Sequence, residues 1–236
     1  MASVNVPVDI HNNRPVKQSH YDYYNGLLFS DDRNILFKMV TRIDLFNHIK
    51  DIPGDIVECG VFKGAGMALW LKLLDMHSPH DIRKVIGFDF FDQNFVDDIK
   101  DGIDRNAMKQ VFSRCPDLQR EDISVEGIVA KFKQAGVPAI KYELVKGDIA
   151  RTSKDYAAER PGFRISILYL DLDLDEPTYQ CLCNLWDRVV PGGIVVFDEY
   201  GYHIWSESNA VDRFVKEKGL RLIKTDVQSP TAWVMK

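Results

Sequence analysis

The chain of 236 residues is 45% hydrophobic and 28% charged with a formal net charge of -5, a balance that fits one globular domain and excludes disordered and fibrous classes. No Lys/Arg cluster is dense enough for a phosphate-backbone footprint, so nucleic acid is not expected as a partner. No apolar run approaches the roughly 20 residues that span a bilayer, and "MASVNVPVDIHNNRPV" lacks a signal pattern, so a soluble, cytoplasmic protein without membrane contact is expected.

In chain order, "QSHYDYYNGLLFSDD" carries three tyrosines suited either to covering a ligand or to a contact between copies in a homo-oligomer. "NILFKMVTRIDLFNHIK" has apolar residues at helical spacing, and the Pro and Gly of "DIPGD" break it. "DIVECGV" reads as a buried strand and "GMALWLKLLDMH" as a helix; "KVIGFDFF" is a second strand. "EGIVAKFKQAG" is a helix ending at Gly136, "IKYELVK" a third strand and "RISILYLDL" a fourth. "PTYQCLCNLWDRVV" is helical, "GGIVVFDEY" is a fifth strand after a "PGG" turn, "NAVDRFVKEKG" is helical, and "LRLIKTD" and "TAWVMK" close the sheet. Strands of near-continuous apolar residues alternating with helices predict a doubly wound α/β fold, mostly parallel and covered on both faces, with antiparallel closure. The expected organisation is a single domain over 1–236, with 1–50 as an N-terminal helical cap. Residues 92–139 form a charged excursion expected as a lid-like insertion or a surface loop, with Phe91, Phe95 and Phe112 able to pack beneath it. Cys181 and Cys183, two apart on a helix, diverge and cannot chelate together, so the four cysteines read as packing or surface thiols.

In open parallel sheets ligands bind outside the carboxyl ends of the strands. Those ends are Glu58, Asp89, Asp148, Asp171, and Asp198 with Glu199, all acidic. "ECGVFKGAG" places Gly60, Val61, Phe62, Gly64 and Gly66 in a turn before a helix, where backbone can approach a ligand. The spacing is not that of a dinucleotide fingerprint. A carboxylate at Glu58 suits an ammonium group and repels a pyrophosphate, while Asp89 suits ribose hydroxyls. An amine, a ribose and no phosphate point to S-adenosyl-L-methionine. Asp171 and Asp198 end successive strands; if those strands are neighbours, about 4.8 Å apart, one cation reaches both, and an all-oxygen set favours a hard ion such as Mg²⁺. Asp175 is expected to cap the helix beginning near Pro177, and Asp173 to turn inward and orient its neighbours.

"PGDIVECGVFKGAG", "IGFDFFD", "LYLDLDLDEPTY" and "VVPGGIVVFDEYG" resemble, in order, the motifs of the macrocin O-methyltransferase family, over about residues 31–220. The resemblance implies a Rossmann-like class I methyltransferase sheet and S-adenosylmethionine as cofactor. It also implies Mg²⁺ or another divalent cation, and methylation of a hydroxyl on a small molecule, typically a sugar, in natural-product or glycan biosynthesis. By motif, the metal ligands would be Asp171, Asp198 and Glu199, and Asp171 would be the base; His203 is the alternative base. The cofactor residues would be Glu58, Gly60, Val61, Phe62, Gly64, Asp89 and Asp148. Asp-Glu stands where the family usually has Asp-Asp, Phe90 where a small polar residue is usual, and Asp148 where an aromatic is common. A catechol-type O-methyltransferase acting on a phenolic diol, and a cofactor-binding protein without turnover, are the alternatives.

Overall fold

The computed structural model describes residues 8–9, 14–15, 17–227 and 231–236; the rest of the expected N-terminal cap, at 1–7, 10–13 and 16, lies outside the described residues. The chain divides after Val40 into two compact units. In the first, Val8–Asp9 pairs antiparallel with Arg14–Pro15, and α1 (Gln18–Leu28) buries none of its residues. Tyr21, Tyr23 and Tyr24 are all exposed. Helix α2 (Asn34–Ile49) crosses the division, and its buried residues Thr41, Arg42, Leu45, Phe46 and Ile49 all belong to the second unit.

The second unit is built on seven strands: β1 (Asp55–Cys59), β2 (Val85–Asp89), β3 (Tyr142–Lys146), β4 (Ile165–Leu170), β5 (Val189–Phe197), β6 (Ile223–Lys224) and β7 (Ala232–Met235). They lie side by side as β3-β2-β1-β4-β5-β7-β6. The first five are parallel, and β7 runs antiparallel to β5 and to β6. The five expected strands therefore stand where the apolar runs put them. Every residue of β4 is buried, so its successive side chains feed opposite core layers. Ile167 and Tyr169 pack with Met67 and Trp70 of α3 (Ala65–His77), whereas Leu168 and Leu170 pack on the opposite side with Leu182 and Leu185.

Local structure departs from expectation at four places. Residues 92–139 carry, besides the expected helix α6 (Val125–Gln134), whose Ile128 and Phe132 enter the core, two unanticipated helices before it, α4 (Gly102–Ser113) and α5 (Arg120–Ile123). An unanticipated α7 (Ile149–Glu159) joins β3 to β4; its inward face includes Ser153 and Ala157 beside Ile149 and Tyr156, a weak apolar stripe. Helix α8 (Asp175–Leu185) starts earlier than expected, with Leu174 in the cap position. Asp175 thus lies inside the first turn, and Pro177 is tolerated there because first-turn N–H groups have no helical partner. The "PGG" segment is a bulge rather than a turn before the strand: Val189 already pairs with Ile165, and Ile167 pairs with Ile194. The remaining helix, α9 (Glu207–Lys218), precedes the closing strands.

Gly60 (φ 89°) is where the turn after β1 crosses the acid loop after β4, because a Cβ there would lie 1.9 Å from the Asp171 carbonyl oxygen. Gly162 has open space around it. Gly60→Ala should therefore lower unfolding free energy by about 2 kcal/mol or more, while Gly162→Ala should change it by under about 0.5 kcal/mol; urea titration of the two variants compares them directly.

Candidate active site

Two backbone bonds extend the sheet one residue past its strands. Asp171 N donates to Cys59 O at 2.8 Å and Asp198 N donates to Leu170 O at 2.9 Å, which fixes both acids at the carboxyl edge. The glycine turn leaves the end of β1 beside them. Asp89 ties this turn down: its Oδ2 accepts from Val61 N at 2.7 Å and Phe62 N at 3.0 Å, and its Oδ1 accepts from Phe91 N at 2.8 Å. Phe62 and Phe91 adopt left-handed backbone, at φ 49° and 51°, so these bonds hold residues in conformations that cost of order 1–3 kcal/mol each. Gly64 (φ 83°) leads into α3.

Glu58 is placed beneath this turn. Its side chain is 2% exposed, and a Cβ at Gly66 would lie 2.1 Å from its Oε1, so only glycine fits in the first turn of α3 above it. Burial pushes Glu58 up to about 7, against the pull of Arg42. Arg42 Nη2 is 3.8 Å from Glu58 Oε1 and 3.9 Å from Asp171 Oδ2, and the guanidinium carbon lies 4.3 Å from the Tyr169 ring centre. Burial alone would lower Arg42; Tyr169, Glu58, Asp198 and Asp171 around it raise it above its ordinary value instead. Asp148 is the N-cap of α7, accepting from Ala150 N at 3.0 Å.

Asp171, Asp173 and Glu199 each offer a carboxylate oxygen within 4.8 Å of the other two, and all three are half-buried. Three hard oxygen donors at that separation fit a divalent cation such as Mg²⁺. The grouping differs from the expected set in one member. Asp198 is fully buried and accepts a hydrogen bond from the Tyr169 hydroxyl, because it continues β5 by one residue and so faces the core, whereas Glu199 follows it on the opposite side. Asp173 joins instead through a left-handed backbone, φ 65°, that breaks the strand alternation. Glu207 braces this kink: its Oε2 accepts from Asp173 N at 3.3 Å, and its own N donates to Asp173 O at 3.2 Å. Burial, with Asp173, Asp171 and Asp198 close by, pushes Glu207 well above the usual carboxylate range. Ser206 Oγ accepts from Asp175 N at 2.8 Å and donates to Asp104 Oδ2 at 2.7 Å, linking α4 to the start of α8.

His203 is exposed, with its ring against Tyr202 at 5.4 Å between centres. Phe90 stacks on Phe95 at 4.7 Å, and Phe112 meets Phe95 and Phe62 edge-on, an aromatic group between the glycine turn and α4. A hollow of about 860 Å³ lies at the opposite end of the strands, beside Asp55 and Lys84. Two ion pairs line it, Arg83 with Asp81 and Lys84 with Glu143, each at 2.6 Å. Sequence reasoning missed Arg42, Glu207 and Tyr169. The first two carry a usable signal: each is a charge on the apolar stripe of its helix, Arg42 with Leu45, Phe46 and Ile49, and Glu207 with Ala210, Val211 and Phe214.

The family Macrocin-O-methyltransferase (TylF) matches residues 38–234. The chain is similar to 8-demethyl-8-(2,3-dimethoxy-alpha-L-rhamnosyl)-tetracenomycin-C 4'-O-methyltransferase of Streptomyces olivaceus, 28% identical over 63% of this chain and 54% of that protein. It is also similar to demethyldecarbamoylnovobiocin O-methyltransferase of Streptomyces niveus, 29% identical over 64% of this chain and 54% of that protein. The matched region thus spans about half the length of these curated relatives. Among solved structures, the calicheamicin methyltransferase CalS11 superposes with a TM-score of 0.70 at 25% identity, over 94% of this chain and 87% of that one. The O-methyltransferase NovP shares the fold, with a TM-score of 0.68 at 22% identity over 85% of this chain and 79% of that one. The chain belongs to the macrocin O-methyltransferase family.

Proposed function

We propose that the protein transfers the methyl group of S-adenosylmethionine to a hydroxyl of a sugar or sugar-bearing small molecule, assisted by a divalent cation at Asp171, Asp173 and Glu199. The observation that carries this reading is the juxtaposition, on adjoining strand ends, of a glycine turn tied down by Asp89 and a group of three half-buried carboxylates. The acceptor class is supported by the relatives, which are named for a rhamnosyl-bearing tetracenomycin and for demethyldecarbamoylnovobiocin.

In this reading the turn from Gly60 to Gly64 presents backbone to the cofactor, Glu58 supplies negative charge beneath its ammonium end, and Asp89 accepts from ribose hydroxyls. Phe62 is part of this turn, and Asp148 follows Gly147, whose N–H donates to Asp89 O at 2.9 Å at the neighbouring strand end. Methyl transfer from a sulfonium is an in-line displacement: the acceptor oxygen forms a bond to carbon as the carbon–sulfur bond breaks, leaving S-adenosylhomocysteine. The acceptor proton passes to Asp171, whose place in the acid group favours it over the exposed His203. When bound, the cation would hold acceptor hydroxyls and lower their pKa. Asp198, turned inward, holds the Tyr169 hydroxyl beneath this group. Residues 92–139, anchored through Asp104 and Ser206, act as the lid over the acceptor.

Two outcomes are expected. Calorimetry with S-adenosylhomocysteine should show Glu58→Ala and Asp89→Ala each weakening binding by about 1–3 kcal/mol; wild-type affinity in both variants would remove the cofactor from this turn. Methyl transfer should stop in EDTA and return with Mg²⁺. Asp171→Asn should be the most damaging acid substitution because it removes a ligand and the base together, and Glu199→Asp should retain metal-dependent turnover. Undiminished turnover in EDTA would leave the carboxylate group without a catalytic cation.

A further inference from the structure

We propose that Arg42 is a positioning residue with two opposed effects: it keeps the buried Glu58 charged beneath the cofactor turn, and it competes with a divalent cation for Asp171. The inference rests on the cofactor and cation sites proposed above and adds a residue that belongs to neither.

The geometry is asymmetric in solvation although nearly symmetric in distance. Arg42 Nη2 stands 3.8 Å from Glu58 Oε1 and 3.9 Å from Asp171 Oδ2, yet the Glu58 side chain is 2% exposed and that of Asp171 is 26% exposed. A carboxylate sealed from water loses its charge unless a cation stands beside it, whereas a partly hydrated one keeps it. Even with Arg42 in place, burial holds Glu58 up to about 7. Among the described residues, Arg42 is the cation in ion-pair contact with Glu58. Removing the guanidinium therefore neutralises Glu58 and deprives the turn of its negative charge. At Asp171 the same removal takes away a competing positive charge.

Arg42 is built to stay put. Its guanidinium lies over the faces of Tyr169 and Trp70, at 4.3 and 5.9 Å from the ring centres, and its side chain is 6% exposed. The pairing with Glu58 is not closed by hydrogen bonds: Arg42 Nε and Glu58 Oε2 are both buried without a hydrogen-bond partner among the described residues. The contact is thus electrostatic, and Glu58 keeps acceptor capacity for a ligand that approaches the turn. A purely packing role for Arg42 would give the two sites no reason to respond in opposite directions.

The test compares wild type, Arg42→Met, Arg42→Lys and Leu45→Ala. The last removes buried volume from the same face of α2 without touching charge. S-adenosylhomocysteine binding is read by calorimetry and Mn²⁺ binding by paramagnetic resonance of the unbound ion, at a temperature where circular dichroism shows all four folded. Arg42→Met should bind S-adenosylhomocysteine about tenfold more weakly, the loss for a charged hydrogen-bond partner, and bind Mn²⁺ several-fold more tightly. Arg42→Lys should recover most of the S-adenosylhomocysteine affinity, and Leu45→Ala should shift neither affinity despite a lower melting temperature. Wild-type S-adenosylhomocysteine affinity in Arg42→Met, or weakening of both ligands together, would overturn the proposal. A wild-type protein that binds no S-adenosylhomocysteine would instead overturn the cofactor reading itself.

Discussion

The carboxyl edge of the sheet concentrates negative charge: Glu58, Asp89, Asp171 and Asp198 end or follow four adjoining strands, and Asp173, Glu199 and Glu207 crowd the same region. Like charges so close cannot all be ionised without compensation, and the chain compensates each differently. Three backbone N–H groups bond Asp89. Tyr169 donates to Asp198. Arg42 stands between Glu58 and Asp171, and burial drives Glu207 towards its neutral form. These arrangements leave Asp171, Asp173 and Glu199 half-buried and within reach of a common cation.

The backbone carries a matching constraint. Phe62, Phe91 and Asp173 are the non-glycine residues with left-handed φ among those described, and each lies within four residues of a strand's carboxyl end. Such conformations persist where surrounding bonds over-determine them. Asp89 supplies those bonds for the two phenylalanines and Glu207 for Asp173. One side chain at β2 therefore shapes the glycine turn after β1, and the start of α9 shapes the acid loop after β4.

What was legible in the sequence follows from what each pattern depends on. The five parallel strands stood out because burial on both faces demands continuous apolar runs, as in "RISILYL", and their ends pointed to the functional edge. The membership of the acid group was not legible, because alternation along an extended chain assumes a regular backbone, and the kink at Asp173 together with the core-facing turn of Asp198 exchanges two residues in that count. Helix α7 escaped notice because Ser153 and Ala157 dilute its inward stripe. Arg42 is legible in a different way, because its place beside Leu45 and Phe46 sets it on the apolar face of α2. A charge on the buried stripe of a helix is thus a readable sign of an internal partner, and Glu207 repeats it.

The central claim is that one sheet edge brings a sulfonium methyl donor to a sugar hydroxyl. Its most direct measurement is incubation with methyl-labelled S-adenosylmethionine and Mg²⁺ over a panel of nucleotide-linked deoxysugars, glycosylated natural products and catechols, with label transfer followed by mass spectrometry. The account predicts label on a sugar oxygen and none on the catechols. Label carried to a phenolic oxygen alone, or no transfer to any member while S-adenosylhomocysteine still binds, would contradict it.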